Sequence, residues 1–299
     1  MTTILALPEL FRALFSLKTL TFSGLLLLAF SCTSDVEDPK LPEVPSKLVL
    51  VSFISPEDPE VKVVVSRSVP LLSPENTGQP LVVTDAVVLL TDGQDTLQLP
   101  YIFNRQLYAT RNFPIKPGRQ YWLKVTTLSG LQAEATCTVP AKLNQSLSAR
   151  LDSSTVNIDM QEREYIAELK WQDLPGQGDF YKVDAGLVLA GEVIASDTAY
   201  FPIEMATDPL ASDYLADGRN FSVSSYSILS YPSMQKERRL LYLQAYLLTT
   251  DKPLYEYHRS LLRYQQANSF SDPVKLYSNV KGGFGVFGSY RRFSLQVAL

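Results

Sequence analysis

Apolar and polar residues alternate with a period of two through most of the chain after Ser46, the pattern of strands that bury one face. "KLVLVSFIS", "EVKVVVSRSV" and "DAVVLLT" are rich in β-branched residues and bounded by proline, aspartate or glycine. Asp92-Gly93 stands between "AVVLLT" and "DTLQLP" and predicts a hairpin, because both residues tolerate positive φ. Pro117-Gly118 turns the chain into a strand over 121–126, and Ser129-Gly130 returns it over 132–139. The Pro-Gly-x-x-Tyr spacing predicts a tyrosine corner at Tyr121, whose phenol bonds the backbone just upstream. Strands at roughly ten-residue spacing, with almost no helical pattern, predict a β-sandwich over 46–140.

Past Pro140, the polar stretch "AKLNQSLSARLDSST" approaches a second β-rich region, 141–299. Trp171 ends one strand, a Pro-Gly loop follows, and Tyr181 lies in the next. That order predicts a Trp–Tyr core pair and echoes the fibronectin type III pattern. Later strands are expected in "FSVSSYSILSY", "RRLLYLQAYLLTT" and "YRRFSLQVA". One helix is predicted near 253–266, with Leu254, Tyr257, His258, Leu261, Leu262 and Gln265 on one face. Asp251 serves as its N-cap, Pro253 fits its first turn, and Asn268 stops it. The fold class is therefore mainly β. It comprises two β-sandwich-like domains of the immunoglobulin or fibronectin type III kind, the second carrying one packed amphipathic helix.

The N-terminus breaks the pattern. Arg12 and Lys18 precede the apolar run "LTFSGLLLLAFSC", Leu20–Cys32. The run is about a dozen residues, short of the roughly 20 that cross a bilayer. Basic residues, a short apolar core and small residues make a secretory signal over 1–31. Its end in cysteine predicts that Cys32 is lipidated and becomes the first residue of the mature chain. "TSDVEDPKLPEVPSK" follows, acidic and proline-rich, and reads as an extended tether over 32–45. The other cysteine, Cys137, then has no intrachain partner and reads as a small buried apolar residue.

Composition narrows the chemistry. The chain has 299 residues, 45% hydrophobic, with a formal net charge of −4, which gives no electrostatic case for nucleic acid. "GFGVFG", Gly283–Gly288, matches G-x-G-x-x-G, but a dinucleotide fingerprint must open a helix and be followed by an acidic residue. Here a strand pattern follows, without an acidic residue. Gly282, Gly283, Gly285 and Gly288 are expected instead to permit tight turns and close backbone approach, with Phe284 and Phe287 pinning the segment. His258 is the one histidine and is expected to pack rather than act as a base; no cofactor and no metal constellation is predicted. The weak calcium candidates are Asp208, Asp213 and Asp217, within "TDPLASDYLADGRN". Tyrosines at loop edges, such as Tyr214, Tyr226, Tyr231, Tyr255 and Tyr290, offer material for a binding surface.

The lipobox together with "QPLVVTDAVVLLTD", "FPIKPGRQYWLKVTTLSGLQAEATCTVP", "DYLADGRNFSV" and "YEYHRSLLRYQQANSFSDPVKLYSNVKGGFGVFG" resembles domain-of-unknown-function family 4249 of Bacteroidota outer-membrane lipoproteins. The resemblance implies a two-part, β-rich, lipid-anchored envelope protein, often encoded beside a TonB-dependent transporter, and supplies no catalytic residues. The acidic "SDVED" after Cys32 resembles signals that send such lipoproteins to the cell surface. The leading expectation is a non-enzymatic binding or accessory component for such a transporter, with a small molecule or glycan as its unidentified ligand. The alternatives are a carboxylate-dependent hydrolase of envelope or extracellular glycans and a structural or adhesive surface module.

Overall fold

A computed structural model of the protein describes residues 45–70, 78, 81–157, 162–190, 198–215, 217–230, 239–268 and 272–298. The signal segment, Cys32 and most of the expected tether lie outside the described residues. The alternating segments form strands β1 (Leu48–Ile54), β2 (Val61–Arg67), β3 (Leu81–Val82), β4 (Val87–Thr91), β5 (Thr96–Leu99), β6 (Tyr101–Ile102), β7 (Leu107–Thr110), β8 (Gln120–Thr126) and β9 (Gln132–Thr138). They continue as β10 (Ser148–Asn157), β11 (Glu162–Gln172), β12 (Phe180–Ala190), β13 (Thr198–Pro202), β14 (Leu210–Ser212), β15 (Asn220–Ser224), β16 (Ile228–Ser230) and β17 (Arg239–Thr250). Helix α1 (Lys252–Gln266) and strand β18 (Gly283–Ala298) complete the order.

These strands make a mainly β fold of three sheets. A ten-stranded sheet runs β13-β12-β17-β18-β1-β2-β7-β6, with β14 beside β12 and β3 beside β2. The smaller sheets are β5-β4-β8-β9 and β10-β11-β15, the latter with β16 beside β11. One core joins Leu48, Leu50, Val63 and Val65 of the large sheet to Val88, Leu90, Tyr121 and Leu123 of the first small sheet. The other joins Tyr181, Val183, Leu243 and Leu247 to Leu169, Trp171 and Val223. The result is two sandwich-like halves that share one long sheet.

β18 serves both. Its first residues run parallel to β1, from Leu48↔Gly283 to Ile54↔Ser289. Its later residues run antiparallel to β17, from Thr250↔Tyr290 to Tyr242↔Ala298. Phe287 is accordingly buried in the first core, while Phe293, Leu295 and Val297 pack on the second. The sequence places the glycine block in turns ahead of a strand at Tyr290; the structure puts Gly283, Gly285 and Gly288 within the strand itself. The reason is close approach. A Cβ on Gly285, at φ +105°, would lie 1.9 Å from the Leu50 carbonyl oxygen, and one on Gly288 would lie 2.8 Å from Leu254 Cβ. Phe284 differs from expectation too, since it stays 45% exposed with the Lys47 ammonium over its ring.

Helix α1 starts where capping chemistry allows. Asp251 Oδ1 accepts from the Leu254 N–H at 3.0 Å and Oδ2 accepts from the Ser289 hydroxyl at 2.9 Å. Its buried residues are Leu254, Tyr255 and Ser260, so the contact face takes in the first leucine of the expected stripe, while Leu261 and Leu262 are half-buried. Among the described residues no helix is long and apolar enough to cross a membrane.

Candidate functional site

Two places bring chemistry-bearing side chains together. The first is a carboxylate cluster built by the loop between β11 and β12 and the loop after β14. Asp173, Asp179 and Asp213 each offer an oxygen, all within 4.8 Å of one another. The local sequence explains the position. Asp173 closes β11, the Pro175–Gly178 turn reverses the chain, and Asp179 opens β12. Asp213 receives the Gly178 N–H at 2.7 Å and the Asp179 N–H at 3.1 Å. Asp173 receives the Tyr181 hydroxyl at 2.7 Å and the Gly218 N–H at 3.0 Å. The Tyr181 oxygen in turn accepts from the Leu174 N–H at 2.9 Å. Asp179 is the strained member: burial first, then the charges of Asp213 and Asp173, push its carboxyl up to about 6.

This donor set consists of hard oxygens of the kind calcium takes. Yet Asp173 and Asp213 already spend their oxygens on backbone N–H groups and a phenol, so the cluster locks two loops together by itself. Of the sequence candidates, Asp213 belongs to the cluster. Asp217 sits beside it and accepts from the Gly176 N–H at 3.1 Å, while Asp208 lies apart and caps the Leu210 N–H at 2.9 Å. Asp173 and Asp179 were not singled out in the sequence, because some forty residues separate Asp173 from Asp213 and the fold alone brings them together.

The second place is the outer face of the β5-β4-β8-β9 sheet. Tyr121 points inward, fully buried, and its oxygen accepts from the Lys116 N–H at 2.7 Å. Strand alternation then puts Trp122 outward, 38% exposed. Pairing sets Thr96, Thr91, Trp122 and Thr136 in one row across the four strands, and Gln98, Leu89, Lys124 and Glu134 in the next. Asn279 and Lys281 wall one side of a pocket of about 460 Å³ over this face. The wall is fixed by the Glu134 and Lys281 backbones, which exchange hydrogen bonds at 3.0 and 2.8 Å. Trp122 is not among the sequence candidates, although the inward tyrosine corner is the signal that turns its neighbour out.

Other expected residues are structural. Trp171 is buried between Tyr181 and Phe221, with ring centroids 6.2 and 5.2 Å away, and its indole N–H has no partner among the described residues. Cys137 is buried, which pushes its thiol well above the ordinary value. His258 lies against Phe53 and Tyr257; burial, then Lys182, lower it to about 4, so it is neutral at pH 7. Of the loop-edge tyrosines, Tyr214 and Tyr226 are exposed and Tyr255 is buried. Tyr290 donates to Asp58, and Tyr231 lies outside the described residues. A further pocket of about 490 Å³ is lined by Asp184, Tyr200, Tyr246, Tyr290 and Arg292. Its charges are paired within the protein, Asp184 with Lys182 and Arg292 with Asp58.

A β-rich chain with two sandwich-like halves and no reactive constellation in its sequence is placed by comparison rather than by chemistry. The family model "Domain of unknown function (DUF4249)" matches residues 35–296, and the chain belongs to that family. No curated protein matches it.

Proposed function

We propose that the protein is a lipid-anchored envelope protein, held to the outer membrane through Cys32. In this reading it acts without catalysis, as a binding or accessory component of a TonB-dependent transporter. The observation that carries the reading is the order of segments. A short apolar run closes on Cys32, an acidic proline-rich stretch follows, and a compact β body begins at Pro45. The exposed Trp122 face gives that body a surface for a ligand. The Cys32 anchor would keep the surface within tether reach of a membrane partner. Metabolic palmitate labelling tests the anchor: the wild type incorporates label and Cys32→Ala does not. Gentle detergent extraction tests the partner, and recovery of the protein alone would remove the transporter from the account.

A second reading, a carboxylate-dependent glycan hydrolase, draws on Asp179, a carboxyl held near neutrality beside the carboxylate of Asp213. It requires Asp213 or Asp173 to release bonds that now hold the loops. Glycan turnover that disappears in Asp179→Asn would favour it over the binding reading.

A further inference from the structure

We propose that the outer face of the β5-β4-β8-β9 sheet, centred on Trp122, binds an oligosaccharide of β-linked pyranoses. The proposal rests on the binding-protein reading above and names the ligand class for it. The floor of the pocket is an indole flanked by threonines. Thr91 and Thr136 are the cross-strand neighbours of Trp122, and the indole between their short side chains lines the pocket and is 38% exposed. An electron-rich aromatic face attracts the polarised C–H groups of a sugar ring. β-Linked pyranoses with equatorial hydroxyls present the flattest such faces to a platform. The ring lies beside the β4–β5 turn, where a Cβ built on Gly93 would stand 3.5 Å from it, so glycine there leaves the indole room.

The rim supplies what hydroxyls need. Lys124 and Lys281 donate, Glu134 accepts, and Thr96 and Thr136 do both. Lys124, Trp122, Thr96 and Thr136 make no side-chain hydrogen bond or ion pair among the described residues, and the one ion pair on the rim, Lys281 to Glu134, is long at 4.0 Å. Lysines and a glutamate side by side fit an uncharged ligand bearing both donors and acceptors. A strongly acidic or basic ligand would meet a like charge. The pocket volume of about 460 Å³ lies within the roughly 300–1,000 Å³ of small-molecule sites. The Tyr200–Tyr246 pocket is the weaker alternative, because its carboxylate and guanidinium are already paired.

The test uses the full chain in a detergent without a sugar headgroup, titrated with cellohexaose, xylohexaose and laminarihexaose while tryptophan emission is followed. Trp171 is 3% exposed against 38% for Trp122, so a change on ligand contact reports Trp122. The expected result is a saturable change with at least one of the three, at a Kd of about 1 mM or below. Calorimetry then shows affinity lowered about tenfold or more in Trp122→Ala, and lowered less in Trp122→Phe and Lys124→Ala, with the thermal midpoint of Lys124→Ala unchanged. Should Trp122→Ala fail to fold, the other two variants carry the comparison. No saturable change with any of the three, or undiminished affinity in all variants, overturns the proposal. A wild type that takes up no palmitate label would overturn the anchor and leave this titration as it is, so the two failures are separable.

Discussion

At the scale of single residues, two buried tyrosines do related work at unequal cost. Tyr121 accepts one backbone N–H, from Lys116. Tyr181 accepts from the Leu174 N–H and also donates to the buried Asp173 carboxylate. Tyr121→Phe is expected to cost about 1–2 kcal/mol, and Tyr181→Phe more, since a charged acceptor loses its donor; urea unfolding measures both. Asp179 gives a pH signature. Its folded value, about 6, lies above the ordinary 3.8, so the folded state prefers the protonated form. The stability this gives is fully present below about 3.8 and is lost as pH rises through about 6. Asp251, raised to about 6 chiefly by burial, acts in the same direction. Asp179→Asn should therefore raise the thermal midpoint at pH 7.5 and leave it nearly unchanged at pH 4; a larger gain at pH 4 would contradict the assignment. The tyrosine corner was within reach of the sequence because its bond spans five residues. The partners of Asp213 were not, because they come from a loop that precedes it by more than thirty residues.

At the scale of elements, hairpins and the helix follow from local chemistry. Asp92 Oδ1 accepts from the Gln94 and Asp95 N–H groups, and Gly93 takes φ +86°, so a dipeptide suffices to announce the β4–β5 turn. Nothing local announces that β18 lies parallel to β1, since the two are joined by more than two hundred residues of chain. The glycines were visible in sequence, but their purpose is set by a strand far away. Gly285→Ala carries both a disfavoured φ and a clash with Leu50, and is expected to cost about 3 kcal/mol or more. Gly130→Ala, at φ +86° with nothing within 4 Å of the added carbon, should cost about 1 kcal/mol. Equal losses in chemical denaturation would show that backbone conformation, and not the close approach to β1, decides the glycine at 285.

At the scale of the whole molecule, the sequence suggests a division near Pro140, while β18 begins in one core and ends in the other. The β1–β2 turn adds a second tie. Glu57 accepts from Arg291 at 2.7 Å and from the Arg292 N–H at 3.0 Å, and Asp58 pairs with Arg292 at 3.0 Å. Burial would raise the Glu57 carboxyl, but the bonds from Arg291, Ser55 and the Arg292 N–H outweigh it and hold it low. The Glu57 bonds are complete above the ordinary carboxylate value and are lost as pH falls through the lowered one. The β body should unfold in one calorimetric transition at neutral pH; two resolved transitions would mean that the shared strand does not couple the halves. The claim on which the functional account stands is the anchor. Intact mass measurement of the protein recovered from its native envelope tests it most directly. The account predicts a chain that begins at Cys32 and carries a diacylglyceryl modification on the sulfur. A chain that keeps the segment before Cys32, is cut elsewhere, or begins at Cys32 with an unmodified thiol would contradict it.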